Sequence, residues 1–271
     1  MEPRTHRPRL RRYKEFCLRY LILSDLHASI EALEACLRLA EGRYECAICL
    51  GDIVGYGPDP GAVIDRIRQQ TSVMIRGNHD RACSGIADPE DFNPWAKAAT
   101  YWTRASLSED RLTFLRELQA GPMAVAGFAM VHGSALDEDQ YVMGLAQALP
   151  LLQTQQWPVV FFGHTHYQGG FSLDSSGGAW PIAMDPGGTG SVTGDGCVVT
   201  LPIEDGARYL VNPGSVGQPR DGNWRSAFAI FDDAGHRVEY YRTSYDLAGT
   251  QRKMIKVGLP EALIRRLEVG R

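Results

Sequence analysis

The chain has 271 residues, 44% of them hydrophobic, with 28 Lys/Arg against 32 Asp/Glu for a net charge of −4. That is enough apolar material for one large core, while no apolar run approaches the roughly 18–20 residues of a membrane span; the best, Cys17 to Leu23, is broken by Arg19. The basic start lacks an uninterrupted apolar region and a small-residue cleavage site, so a secretory signal is not expected, no membrane partner is expected, and the compartment is read as cytoplasmic.

Residues 1–19 carry seven Lys/Arg against Glu2 and Glu15, a local net of +5, which leaves −9 for the rest of a chain at −4. Residues 1–17 read as a basic, disordered tail, with contact to a polyanion the alternative. The acidic body argues against a nucleic-acid groove across the fold, so nucleic acid is not an expected partner. Residues 18–271 read as a single domain.

In chain order, five short apolar runs of strand length are each followed closely by a metal-competent or proton-transferring side chain. Leu18 to Leu23 leads to Asp25 and His27, and Ala47 to Leu50 leads through Gly51 to Asp52. Val73 to Ile75 leads to Asn78, His79 and Asp80; Phe128 to Val131 leads to His132; Val159 to Phe162 leads to His164 and His166. Helical spacing separates the early strands, with Ile30, Leu33 and Leu37 in one pattern and Val63, Ile64 and Ile67 after Pro60 in the next. Alternation of this kind predicts a βαβ core, whose sites form beyond the carboxyl ends of strands.

Residues 93–119 read as two helices, the second starting at Ser108 as N-cap, and form a cap-like segment. In that cap, Trp95, Tyr101 and Trp102 either stack a nucleobase or serve packing. Residues 169–205 read as a loop or hairpin insertion, with turn signals at Ser175 to Gly178, Pro186 to Gly188 and Gly194 to Gly196. Further on, Tyr209 to Val211, Ala227 to Phe231 and Val238 to Arg242 read as strands, and Pro260 to Leu267 as a helix. Six cysteines spread over such a chain are expected to be reduced thiols, and the CxxC pair Cys46 and Cys49 reads as strand residues inside an apolar run.

Seven side chains, Asp25, His27, Asp52, Asn78, His132, His164 and His166, supply oxygen and imidazole donors of intermediate hardness. That set suits Mn, Fe, Zn, Ni or Co better than Ca or a thiolate-bound metal. One ion rarely needs seven protein ligands, whereas two ions bridged by a carboxylate would use them and leave positions open for water and substrate. A lone His is more often a satisfied core residue than a ligand, and DxH or GD alone arises by chance; five such motifs, each after a strand, form a stronger signal.

The set DLH (Asp25 to His27), GD (Gly51, Asp52), GNHD (Gly77 to Asp80), HG (His132, Gly133) and GHTH (Gly163 to His166) resembles the calcineurin-like metallophosphoesterases, in their small bacterial phosphodiesterase-like branch. The stretches GDIVGYGPDP (Gly51 to Pro60), NPGSVGQPRDG (Asn212 to Gly222) and GLPEALIRRLEVGR (Gly258 to Arg271) extend the likeness, leaving 1–17 and 169–205 outside it. The resemblance implies a mixed α/β fold, a four-layer αββα sandwich with two mixed β-sheets. It implies one metal on Asp25, His27, Asp52 and His166, a second on Asp52, Asn78, His132 and His164, and Asp52 as the bridge. His79 would be the catalytic residue that protonates the leaving alkoxide or orients the phosphate, and Asp80 either orients it or has a helix-start or surface role.

The reaction so implied is hydrolysis of phosphodiesters or phosphomonoesters by in-line attack of metal-bound hydroxide. The partner would be a small phosphorylated substrate, with a nucleotide among the candidates. Asn78 and Arg220 are the candidates for substrate binding, Arg220 weighed equally against a surface role in its Pro- and Gly-rich loop. Two departures matter. Ala28 and Ser29 stand where the family often has Gly and Asn, and the Asp-Arg pair of the serine/threonine phosphatases is replaced by Gly55 and Tyr56. A serine/threonine-type protein phosphatase is therefore the lesser alternative, beside a catalytically silent scaffold protein of the same fold.

Overall fold

The computed structural model describes residues 19–184 and 194–271; the 1–17 tail and the turn signal at Pro186 to Gly188 lie outside them. The first apolar run becomes β1 (Arg19–Leu23), followed by α1 (Ile30–Ala40) and the parallel β2 (Cys46–Cys49), with Leu21 opposite Ala47. The period-2 alternation of strands decides which side each residue serves. Leu21, Leu23, Ala47 and Cys49 face α1 and α2 (Pro60–Gln70), joining Leu33, Leu37, Val63 and Ile67 in one buried cluster. Tyr20, Ile22 and Ile48 face the other way, into the middle of the molecule. The run Val73 to Ile75 makes only a parallel bridge, Cys49 with Met74, because the chain turns at Gly77 into α3 (Asn78–Ser84).

The 93–119 segment folds as α4 (Pro94–Ser106) and α5 (Glu109–Glu117), with Ser108 at the N-cap position but no side-chain cap bond. Then come β3 (Met123–Val125), β4 (Phe128–Met130), α6 (Leu145–Thr154) and β5 (Val159–Phe161). The stretch read as an insertion supplies β6 (Gly169–Leu173) and β7 (Ala179–Pro181) to one sheet and β8 (Gly196–Pro202) to the edge of the other. The chain continues through β9 (Arg208–Asn212), β10 (Ser226–Asp232), β11 (Arg237–Thr243), α7 (Leu247–Lys256) and α8 (Glu261–Val269).

Two mixed sheets result, ordered β2-β1-β10-β11-β8 and β3-β4-β5-β9-β6-β7. Their facing sides bury Phe128, Phe161, Val211, Phe231 and Tyr240 with Tyr20 and Ile22. The outer side of the second sheet packs Val160, Phe162 and Leu210 against Leu151 and Leu152 of α6. This is the expected αββα sandwich. Among the described residues no helix is long and apolar enough to cross a membrane. Cys36, Cys49 and Cys83 are buried free thiols and Cys197 an exposed one, but Cys46 is disulfide-bonded, which corrects the expectation of six reduced thiols. Since Cys49 is free, the CxxC pair is not joined to itself.

Candidate metal centre

The loops after β1, β2, the bridge at Met74, β4 and β5 open at one end of the sandwich, and they carry every expected ligand. Asp25, His27, Asp52, His164 and His166 all adopt positive φ, from 45° to 67°. A non-glycine residue in the left-handed region costs on the order of 1 kcal/mol and persists only where its surroundings over-determine it. Those surroundings are visible: the His27 N–H donates to Asp52 O at 2.9 Å, and the Asp25 N–H to Gly51 O at 3.0 Å. Two glycines let the loops approach. A Cβ at Gly77 would overlap Asp52 Oδ1, and one at Gly163 would overlap Ser24 Oγ and crowd Asp25 Oδ2.

The side chains converge in two overlapping groups. Ligand atoms of Asp25, His27, Asp52 and His166 lie within 4.8 Å of one another, as do those of Asp52, His132 and His164. Asp52 belongs to both. Its Oδ1 accepts from the His79 N–H at 2.9 Å, whereas Oδ2 is buried without a hydrogen-bond partner, 3.6 Å from His27 Nε2 and 3.4 Å from His132 Nε2. Asn78 Oδ1 stands 3.3 Å from His132 Nε2, which places Asn78 with the second group.

Main-chain carbonyls set the imidazole orientations. The Nδ1 atoms of His27, His132 and His166 face Val54 O at 3.2 Å, Leu50 O at 2.9 Å and Gln218 O at 2.6 Å. A carbonyl can only accept, so Nδ1 carries a proton and Nε2 faces inward. His164 is turned over: its Nε2 faces Asp139 O at 3.1 Å, which frees Nδ1. His27 Nε2 and His166 Nε2 thus point lone pairs at each other across 3.1 Å. Acceptors aimed at acceptors in a buried space fit a cation between them.

The electrostatics agree. Burial drives His27 and His166 well below the ordinary imidazole range and His164 down to about 4, so all three are neutral donors at neutral pH. At His132 burial also opposes the charge, but the Asp52 carboxylate outweighs it and pushes the group up to about 10. There a proton occupies the place that a metal would take.

The calcineurin-like phosphoesterase superfamily domain matches residues 18–234, most of the chain. The chain belongs to that superfamily. A metallophosphoesterase from Sphaerobacter thermophilus is 36% identical, with a TM-score of 0.78 over 94% of this chain and all of that one. An uncharacterized protein of Methanocaldococcus jannaschii is 29% identical over 92% of this chain and 97% of its own length. A hypothetical protein of Pyrococcus horikoshii shares the fold with a TM-score of 0.71 at 21% identity, over 93% and 98% of the two chains.

Of the remaining expected residues, His79 is buried beside the candidate ligands, its ring 4.3 Å from Tyr56, 4.9 Å from Phe92 and 5.0 Å from His27. Burial lowers its pKa to about 4. Asp80 does not hold that ring. Its carboxylate accepts from Val54 N at 3.1 Å and Gly77 N at 3.0 Å, the helix-start alternative, and burial with the nearby Asp52 raises it to about 7. Arg220 reaches the same neighbourhood, its guanidinium 5.7 Å from the Tyr56 ring centre and its Nη2 3.1 Å from Gln218 Oε1. Trp102 packs against the buried cluster that includes Ala99, Leu263 and Leu267, while Trp95 and Tyr101 are exposed on α4.

The braces behind these side chains belong to no ligand motif. Asn212 Nδ2 donates to Gly163 O and Thr165 Oγ1, both at 3.0 Å, and Ser215 Oγ donates to Asp25 O at 2.8 Å. Ser24 Oγ donates to Asp25 Oδ2 at 2.6 Å. The NPGSVGQPRDG motif was the available signal; its residues hold the ligand loops in place.

Proposed function

We propose that the protein is a metal-dependent hydrolase of small phosphodiesters or phosphomonoesters, with nucleotides among the candidate substrates. The observation that carries this reading is the convergence of the His27 and His166 Nε2 lone pairs and of His132 Nε2 on the unpartnered Asp52 Oδ2. Asp25, His27, Asp52 and His166 would hold one ion, and Asp52, Asn78, His132 and His164 the other, with Mn, Fe, Ni, Co or Zn the candidates. When bound, such ions supply Lewis-acid polarisation of a phosphoryl group and lower the pKa of coordinated water.

The chain's own groups do the rest. Asp52 ties the two clusters together, and the backbone carbonyls turn the other ring nitrogen of each histidine toward the centre. His79 Nδ1 is sealed without a partner, and a Cβ at Gly55 would stand 2.6 Å from it, which leaves Nε2 to face a leaving oxygen; burial holds the free ring neutral, so the proton it would hand over is taken up when the negative charge of the phosphate arrives beside it. Arg220 offers a guanidinium on the same side for phosphate oxygens.

The test is hydrolysis of an activated aryl phosphodiester by protein loaded with Mn, Ni, Co or Fe. Turnover is expected; none with any ion despite bound metal would favour the scaffold alternative. In the same assay His79→Ala is expected to keep its metal while losing about 10²- to 10⁴-fold on alkyl leaving groups and far less on nitrophenolate. Equal losses on both would remove His79 from the proton-transfer role.

A further inference from the structure

Main-chain carbonyls aim the imidazoles of His27, His132, His164 and His166, but His79 is held differently. Its Nδ1 has no hydrogen-bond partner, and the neighbouring Asp80 carboxylate is taken up by the Val54 and Gly77 N–H groups. An imidazole without such a bond keeps one orientation only where its faces are packed. Two rings pack this one: Tyr56, with centres 4.3 Å apart and planes tilted by 51°, and Phe92, at 4.9 Å and 47°. Arg220 meets the first of them. Its main-chain N–H donates to His166 O at 3.2 Å, which fixes the root of its side chain beside the first ligand cluster. The guanidinium then lies 5.7 Å from the Tyr56 ring centre, with Nη2 3.5 Å from the Tyr56 hydroxyl and 3.1 Å from Gln218 Oε1.

Tyr56 occupies a position where a bulky side chain is costly. Its φ is +61°, next to Gly55 at +89°, and glycine is the residue that takes this conformation without strain. The flanking glycines show why the ring is there. A Cβ at Gly55 would stand 2.6 Å from His79 Nδ1, and one at Gly57 would stand 2.2 Å from His27 O. The Gly-Tyr-Gly turn is thus wedged between the two histidines. Its central side chain meets the His27 ring as well, at 4.7 Å between centres, and joins the buried cluster that includes Leu263 and Leu267 of α8. An aliphatic side chain could fill that space, but only an aromatic ring offers an electron-rich face to a guanidinium.

We propose that Tyr56 is a positioning residue which aligns His79 and Arg220 together, so that one ring sets both the proton donor for the leaving group and the guanidinium that grips the phosphate. It touches both groups directly and acts on the substrate through them. The proposal rests on the phosphoesterase reading above.

The test is steady-state hydrolysis of an alkyl and a nitrophenyl phosphodiester by the metal-loaded full chain, with orthophosphate as competitive inhibitor. Wild type is compared with Tyr56→Leu, Tyr56→Phe and Phe92→Leu, and Tyr56→Met replaces Tyr56→Leu if the latter loses its metal. In Tyr56→Leu, kcat on the alkyl ester should fall at least about tenfold further than on the nitrophenyl ester, because a misaimed donor matters most for the poor leaving group. Orthophosphate inhibition should weaken by about threefold or more in the same variant, through loss of the ring face beside the guanidinium. Phe92→Leu removes the other ring on His79 and should show the first change without the second. Tyr56→Phe keeps the ring and should bring both quantities back to within about threefold of wild type. Equal loss on the two esters, one change without the other in Tyr56→Leu, or no recovery in Tyr56→Phe would overturn the proposal. Metal lost from both Tyr56→Leu and Tyr56→Met would overturn it too, by making Tyr56 part of the frame. Wild type turning over neither ester would instead overturn the phosphoesterase reading on which the proposal stands.

Discussion

The left-handed backbone conformation occurs at both ends of the sandwich, for opposite reasons. At one end it appears in the tight β3–β4 turn at Ala126 and Gly127 and at His236 between β10 and β11. There the two-residue turn demands it, and a Cβ on Gly127 would meet nothing within 4 Å. At the other end it appears in Asp25, His27, Asp52, His164 and His166, where no turn type requires it and the neighbouring Gly77 and Gly163 are clamped against carboxylates. One end uses the conformation to reverse the chain with room to spare. The other uses it to aim side chains, and has no spare volume.

The largest effect is expected where aiming is abolished. Asp52→Asn removes the carboxylate shared by both clusters, and elemental analysis should find at most one ion per chain with activity down about 10²-fold or more. Two fully occupied sites in that variant would show that Asp52 is not the bridge.

A middle-sized effect should separate the two ends directly. Gly163→Ala forces a methyl against Ser24 and Asp25, for a loss of about 1–3 kcal/mol together with metal content. Gly127→Ala meets only the φ penalty, about 1 kcal/mol, with metal content unchanged. Thermal melts and metal analysis on both variants would sharpen the contrast, and equal metal loss would break it.

The smallest effect concerns the β6–β7 turn, far from the ligands in chemistry. Hydrogen bonds from Ser176 and from the Gly178 N–H hold the exposed Asp174 carboxyl at about 2, below its usual value of 3.8. A depressed acid keeps its contribution above the unfolded value and loses it as pH falls through the folded one. The Ser176 and Gly178 amide shifts should therefore inflect near pH 2; an inflection near 4 would mean the turn does not form as described.

These contrasts also explain what could be read beforehand. The ligands were legible because each follows an apolar run, and the sheet faces because Tyr20 and Ile22 alternate with Leu21 and Leu23. The run Val73 to Ile75 was legible as extended chain but makes only one bridge, because the chain turns at Gly77 into α3. The carbonyls of Leu50, Val54 and Gln218 that orient the imidazoles were not legible, since every residue has a carbonyl. Asp80 looked like a partner for His79 by adjacency, yet its helix start turns the carboxylate back to Gly77 and Val54.

The placing of β10 has a consequence for how the molecule comes into being. β1 lies between β2 and β10, with Arg19 opposite Asp232, so the strand that precedes the first ligand gains its second neighbour only from the far part of the chain. A polypeptide emerging from the ribosome presents Asp25 and Asp52 long before the histidines of the second sheet, and all of them before β10 can close the first sheet around them. Contacts so distant in sequence form slowly. The centre is therefore a product of completed assembly rather than its seed, and ions captured earlier would meet only fragments of the cage.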